Sequence, residues 1–329
     1  MTDMVKPFRP VFICGCERSG TTLLGSLLGA SSKAIVTPES QFLTELQRMY
    51  DPADLRKFTD ALCRNWRLGI WQINTFRGRL DDAVLGRGPV SYREIIETII
   101  RLYADDRGKS DSRIWIDHTP RHIFRLERIL ELFPEAKVLN LVRDGRAVVA
   151  SVLPLDWGPN SCRSAAMWWS RSVGAGALAE VAYGPGTILT VRFEDLVREP
   201  DSTLSAICQF SGIEYTSQVR SGGAFVIPKY TKGQHERVNK DLDPSRLDAW
   251  REKLSKRDVE IFEYYSGDLL SYLGYRLETS FSPAPPGYLE TRWITVREVA
   301  VGLLNYFRAR LRIIPVRIRT LRERFRSTS

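Results

Sequence analysis

Residues 10–31, PVFICGCERSGTTLLGSLLGAS, constrain the fold more than any other stretch. An apolar run ends at Gly15, the chain turns, and apolar residues resume after Gly20 at helical spacing. A covered strand that feeds a helix through such a turn is the opening unit of an α/β fold. Gly15 and Gly20 let the backbone curl close to an anion. The first amides of the helix are unpaired and sit at the positive end of its dipole. Ser19, Thr21 and Thr22 add hydroxyl donors at the same place. The two glycines have the spacing of a nucleotide P-loop, G-x-x-x-x-G-K-[ST], but Thr21 stands where the lysine belongs. The basic residue, Arg18, lies inside the turn instead. A loop of this kind suits a shorter, less charged anion with no obligatory metal, and it argues against an ATP-driven kinase.

The rest of the chain alternates short Val/Ile/Leu-rich runs with helical patterns, which predicts βαβ units and a parallel sheet. The strand candidates are 11–14, 34–37, 113–116, 137–142 and 187–192. The expected fold is a P-loop-like three-layer α/β/α sandwich with a mainly parallel sheet of about five strands. Ser91 with Glu94 reads as a capping box opening a helix. Thr119-Pro120 reads as a cap followed by proline at the first position of a helix over 122–133. Ser255 with Asp258 starts another helix, with Val259, Phe262, Tyr265 and Leu269 as its apolar face. Residues 41–50 are expected to form a helix as well. A mostly helical insertion, 51–106, falls between the second and third strands, where it would cover the ligand crevice. Its Trp66, Trp71, Tyr92 and Tyr103 either stack on sugar rings or form core.

Around Ser282–Gly287 the composition shifts to a linker. This divides the chain into a main domain, 1–280, and a tail, 281–329. From residue 288 onward the tail holds ten arginines, three glutamates and no lysine, so most of the net charge of +9 lies there. Trp293, Val296, Ala300, Leu303, Leu304, Phe307 and Leu311 recur at helical spacing. A basic amphipathic helix of this type lies on an anionic membrane surface, docks on its own domain or pairs two chains, and the oligomeric state stays open. The five cysteines are odd in number and have no metal-site spacing, so the expectation is a reduced, cytoplasmic chain, whose tail, if it is the membrane-binding kind, meets the inner face. The first strand begins by about residue 10, which leaves no room for a signal peptide. No apolar run approaches the roughly 20 residues that a membrane span needs.

The segment Cys16-Glu-Arg-Ser-Gly-Thr-Thr-Leu-Leu24 resembles the 5′-phosphosulfate loop of sulfotransferases that use 3′-phosphoadenosine 5′-phosphosulfate (PAPS). A second match is Lys137–Ser151, a strand ending in Arg143-Asp144 and followed by a helix with serine eight residues after the arginine. It resembles the family's 3′-phosphate segment, and Arg143 would leave the carboxyl end of a strand, where ligands of open α/β sheets bind. The resemblance implies a PAPS site made of Arg18, Ser19, Gly20, Thr21, Thr22, Arg143 and Ser151. Val191–Leu196 resembles the family's Y-E-D-L strand end, which puts Phe193 near the adenine. Lys229–Gly233 followed by Trp250 resembles a late R-K-G…W segment, which puts Lys232 at the 3′-phosphate. Leu23 replaces the tryptophan of the cytosolic steroid and phenol branch, so the pattern is nearer the bacterial and carbohydrate- or tyrosine-directed branch.

Sulfuryl transfer to an alcohol needs a base, cations for the developing charge, and alignment. Arg18 and the loop amides supply the second. Glu39, in Val36-Thr-Pro-Glu-Ser-Gln-Phe42, resembles the P-E-[ST]-x-F segment whose glutamate is the proposed base; its alternative is an acid at a helix N-terminus. His118, in Asp117-His-Thr-Pro120, resembles the H-x-P histidine base of the cytosolic branch and departs from the K-T-P of the branch otherwise matched. Both remain candidates, with Glu39 ahead. His118 and His122 are four apart, as in helix-borne zinc pairs, but Pro120 puts His118 outside the helix and no third ligand is evident, so no metal is expected. The implied reaction moves a sulfuryl group from PAPS to a carbohydrate, glycolipid or lipid-linked hydroxyl. The alternatives are a P-loop nucleotide kinase and a basic nucleic-acid-binding protein; no nucleic-acid reader motif is present, so no nucleic-acid partner is expected.

Overall fold

The computed structural model describes residues 7–86, 90–223, 225, 242–279 and 283–326. Five strands form one sheet: β1 (Arg9–Gly15), β2 (Ala34–Thr37), β3 (Ile114–Asp117), β4 (Lys137–Val142) and β5 (Ile188–Arg192). Their order is β2-β3-β1-β4-β5 and every pairing is parallel. All four residues of β2 and of β3 are buried, as expected of strands covered on both faces. The chain passes from β1 to one side of the sheet and later returns to the other, beside β4. The crevice between the carboxyl ends of β1 and β4 is therefore the topological switch point, where ligands of such sheets bind.

Strand alternation divides the core. Val11, Ile13, Leu139 and Leu141 face α1 (Thr21–Leu28), α11 (Pro200–Ser211) and α12 (Ser217–Ser221). Phe12, Trp115 and Val138 face the other way, with Phe12 and Trp115 edge to face at 5.2 Å. Covering that side are α2 (Phe42–Glu45), α3 (Leu55–Arg64), α6 (Tyr92–Asp105) and α7 (Leu126–Leu132), with α4 (Trp66–Gly69) and α5 (Phe76–Val84) completing the insertion. A third cluster joins α8 (Gly145–Val152), α9 (Cys162–Tyr183), α13 (Trp250–Lys253) and α14 (Lys256–Tyr272). A short α10 (Phe193–Arg198) follows β5, and α15 (Tyr288–Arg326) closes the chain. Among the described residues no helix is long and apolar enough to cross a membrane.

The Ser91 and Ser255 capping boxes form. Thr119 does not cap: its hydroxyl accepts from the Ser40 amide at 2.8 Å, and residues 120–124 are a 3₁₀ turn ahead of α7. The helix expected over 41–50 is the single turn α2 followed by another 3₁₀ turn. On α14 the buried face runs through Val259, Phe262, Ser266 and Leu270, and Tyr265 is exposed. In the insertion Trp71, Tyr92 and Tyr103 are core, with Trp71 edge to face against Phe42 and Tyr103. That removes them as stacking surfaces for a sugar.

Arg146 locks β4, α8 and α14 together. It is buried, holds Asp144 through two bonds of 3.0 and 2.7 Å, and holds Glu263 at 2.7 Å. Its guanidinium lies 4.4 Å from the Trp250 ring. Removing one member of a buried pair leaves uncompensated charge. Arg146→Ala is expected to lower unfolding free energy by about 3–5 kcal/mol, measured by denaturant titration.

Candidate functional site

The turn after β1 is held by sterics. Gly15 has φ +135°, and a Cβ there would lie 2.3 Å from the Leu141 carbonyl oxygen of β4. Gly20 starts α1 at φ +104°, and a Cβ there would meet the Phe193 ring at 2.6 Å. Between them Arg18 takes a left-handed φ of +71°. The Arg18 Nε donates to Ser151 Oγ at 3.1 Å. The Arg143 Nη1 donates to the Arg18 carbonyl at 3.1 Å, and its guanidinium lies 4.5 Å from the Phe193 ring centre. Arg18, Gly20, Arg143, Ser151 and Phe193, expected from separate motifs, therefore converge at the β1/β4 crevice. Ser19, Thr21 and Thr22 are buried at the same turn. Burial, and then the charge of Arg143, lowers the Arg18 pKa. Two guanidiniums held this close are stabilised by an anion between them.

The end of β4 is braced from behind. Trp169 Nε1 donates to the Arg143 carbonyl at 3.0 Å. Asp144 does not pair with Arg143: it caps α8 and holds Arg146. The Asp144 amide donates to Glu194 at 2.9 Å, and Glu194 accepts from Tyr275 OH at 2.9 Å. Arg143 instead reaches across the crevice to the Arg18 carbonyl. Lys232 lies outside the described residues. Trp250, its sequence companion, is buried between the Arg146 and Arg251 guanidiniums.

Glu39 lies just beyond β2, half-buried. Burial raises its pKa to about 7. A 2.9 Å bond from Gln41 Nε2 opposes that, the charges of Asp117 and Glu17 add to it, and Arg67 opposes it. The Trp71 indole donates to the Glu39 carbonyl at 3.4 Å. The next residue, Ser40, is tied to β3: its hydroxyl donates to Asp117 and lies 3.0 Å from His122 Nε2. Asp117 also accepts from the Thr119 amide at 2.7 Å. This network holds the Glu39 backbone against the sheet.

His118 has different surroundings. It is 3% exposed, its ring is edge to face with Phe225 at 4.8 Å, and Gly25 of α1 packs beneath it. Among the described residues neither ring nitrogen has a side-chain hydrogen-bond partner. Burial lowers its pKa, so the ring is neutral at pH 7. His122 is committed to Ser40, and its pKa is likewise lowered by burial.

Sequence reasoning missed Glu17, a second carboxylate near Glu39. The left-handed turn at Arg18 sends the Arg18 side chain towards Ser151, while Glu17 faces Glu39 and Arg121. Burial raises the Glu17 pKa, against its own backbone bond and Arg121. No motif signals the Ser40–Asp117–His122 network either, because Ser40 lies 77 residues from Asp117 and 82 from His122.

A profile described as "Sulfotransferase family" matches residues 10–217, and the chain belongs to that family. It is 27% identical over 301 residues to "Nodulation protein NoeE" of Sinorhizobium fredii (strain NBRC 101917 / NGR234), covering 80% of this chain and 65% of that protein. It is 25% identical over 215 residues to "Protein-tyrosine sulfotransferase 2" of Gallus gallus, covering 64% of this chain and 52% of that one. The chain thus spans less than two-thirds of the length of these relatives. Among solved structures, the "Sulfotransferase Domain from the Curacin Biosynthetic Pathway" superposes with a TM-score of 0.58 at 21% identity, over 83% of this chain and all of that one. A sulfotransferase domain from the Synechococcus PCC 7002 olefin synthase gives 0.54 at 22% identity, over 84% and 98%. These likenesses establish the fold.

Glu39 makes a signed prediction. In the unfolded chain it ionises near 4.5, and in the fold near 7. Ionisation therefore costs the folded state stability, a cost that grows as pH rises from 4.5 to 7 and is complete above. Glu39→Gln removes it. The variant is expected to match wild type in thermal stability at pH 4 and exceed it at pH 8; equal stability at both would contradict the burial of this carboxylate.

Proposed function

We propose that the chain transfers the sulfuryl group of PAPS to a hydroxyl acceptor, with Glu39 as general base. The convergence of Arg18, Ser151 and Arg143 at the β1/β4 crevice carries the reading. The loop amides, Ser19, Thr21, Thr22 and Arg18 take the 5′-phosphosulfate, Arg143 and Ser151 take the 3′-phosphate, and Phe193 flanks the adenine. Lys232 is proposed as a further 3′-phosphate contact. The acceptor oxygen attacks sulfur as its proton passes to the Glu39 carboxylate. The bond from sulfur to the 5′-phosphate oxygen breaks, and adenosine 3′,5′-bisphosphate leaves with the electron pair. Arg18 and the loop amides hold the charge that grows on that oxygen. No protein metal ligand is invoked.

A pKa near 7 leaves Glu39 basic enough to take the proton and ionised enough to act at neutral pH. His118 is buried and neutral, and we assign it a packing role under α1. The acceptor class proposed is a carbohydrate, glycolipid or lipid-linked hydroxyl. The five cysteines are buried and none is in a disulfide among the described residues, which supports a reducing compartment, the cytoplasm.

The test is transfer from radiolabelled PAPS to sugar, lipid and phenol acceptors, with Glu39→Ala and His118→Ala beside wild type. Glu39→Ala is expected to lower kcat about 10²–10⁴-fold and to abolish the rise of activity through pH 7, with a smaller loss for His118→Ala. Retained activity in Glu39→Ala would remove it as the base. No transfer to any acceptor class would overturn the function.

A further inference from the structure

Helix α15 carries its amphipathic character inside out. Residues three and four apart share one helix face. The face bearing Glu290, Ile294, Glu298, Asn305 and Arg312 meets the domain. Glu290 accepts from Arg257 at 2.7 Å, and Glu298 accepts from Arg163 at 2.6 Å and from Ser161. Asn305 Nδ2 donates to the Leu155 carbonyl at 3.3 Å and to Asn160 at 2.9 Å. Arg312 pairs with both Asp156 oxygens at 2.8 and 3.0 Å. The opposite face presents Leu289, Trp293, Val296, Leu303, Phe307 and Leu311, with Trp293 68% and Leu311 72% exposed. A helix resting on its domain ordinarily turns its apolar face inward.

We propose that this outer face docks on an anionic lipid bilayer and turns the mouth of the β1/β4 cleft towards it. Charge selects the occupant. Glu290 and Glu298 both face inward and are neutralised there. Arg292, Arg297, Arg308 and Arg310 are exposed around the apolar row, and none is in an ion pair among the described residues. A second copy of the chain would bring its own arginines against these, and like charges oppose that pairing. A layer of anionic headgroups satisfies both features: the aromatic and aliphatic side chains enter the acyl boundary while the arginines meet phosphates. At 1.5 Å per residue the outer row from Leu289 to Leu311 runs about 33 Å along the helix.

The same helix contacts two segments that adjoin residues of the proposed site. It grips the 153–160 loop, which begins directly after α8 and its Ser151. It also packs beside α4, whose Arg67 acts on Glu39. The orientation rests on the reading of that cleft as the active site; the lipid docking does not.

The test uses the full chain and a Trp293→Glu/Phe307→Glu variant, both substitutions lying on the outer face. Wild type is expected to sediment with vesicles of equimolar phosphatidylcholine and phosphatidylglycerol, and about tenfold less with phosphatidylcholine alone. The variant is expected to lose about tenfold or more of that binding while keeping its thermal shift with adenosine 3′,5′-bisphosphate. In hydrogen exchange, the vesicles are expected to slow residues 66–69 and 153–160. Failure of wild type to sediment, unchanged sedimentation of the variant, or a concentration-dependent dimer lost in the variant without vesicle binding overturns the docking. Sedimentation without slowed exchange in those two segments overturns the orientation. Wild type that sediments but shows no bisphosphate shift supports the docking and overturns the reading of the cleft.

Discussion

The site depends on how closely β1 and β4 run. Gly15 pairs with Leu141 and has no side chain, so the Leu141 carbonyl can pass where a Cβ would stand. That contact keeps the two strands parallel to their carboxyl ends. It brings Arg143, one residue past β4, onto the carbonyl of Arg18, three residues past β1. The left-handed φ at Arg18 then divides the turn: its own side chain goes to Ser151 and that of Glu17 goes towards Glu39. A single sterically enforced approach thus builds a cationic half and a carboxylate half around one crevice.

The two halves have opposite electrostatics. At the turn, Arg18 and Arg143 crowd each other, and an anion relieves their repulsion. At Glu39, the charges of Asp117 and Glu17 add to burial, and a proton on its carboxylate relieves them. Anion binding between the guanidiniums and proton uptake at Glu39 are therefore the two changes this arrangement favours. A kinase loop would need its lysine where Thr21 stands. The nucleic-acid alternative drew on net charge, and that charge resides mostly in the α15 tail.

Much of this was legible in the sequence because it is local. The five strands fall within a residue or two of their expected ends, since short β-branched runs bounded by turns admit little else. Arg18, Arg143 and Ser151 were legible because strand-end motifs place residues at one edge of a parallel sheet. Contacts set by tertiary packing were not. Thr119 looked like a cap and serves instead as an acceptor for Ser40, because β2 ends beside it. Tyr265 had the right periodicity for the core, but α14 is rotated to bury Ser266 against α9. The outward apolar face of α15 was visible as a pattern, but its direction depended on Glu298 and Arg312 finding partners far along the chain.

The central claim is that this loop reads a nucleotide with a 5′-phosphosulfate and a 3′-phosphate. Calorimetric titration of the desalted protein with adenosine 3′,5′-bisphosphate, adenosine 5′-phosphate and ATP with magnesium tests it most directly. Charge-assisted bonds from Arg143 are worth about 1.5–3 kcal/mol, so the bisphosphate is expected to bind roughly 10- to 150-fold tighter than the 5′-phosphate, and ATP more weakly than the bisphosphate. Equal affinity with and without the 3′-phosphate, or preferential binding of ATP with magnesium, would contradict the account.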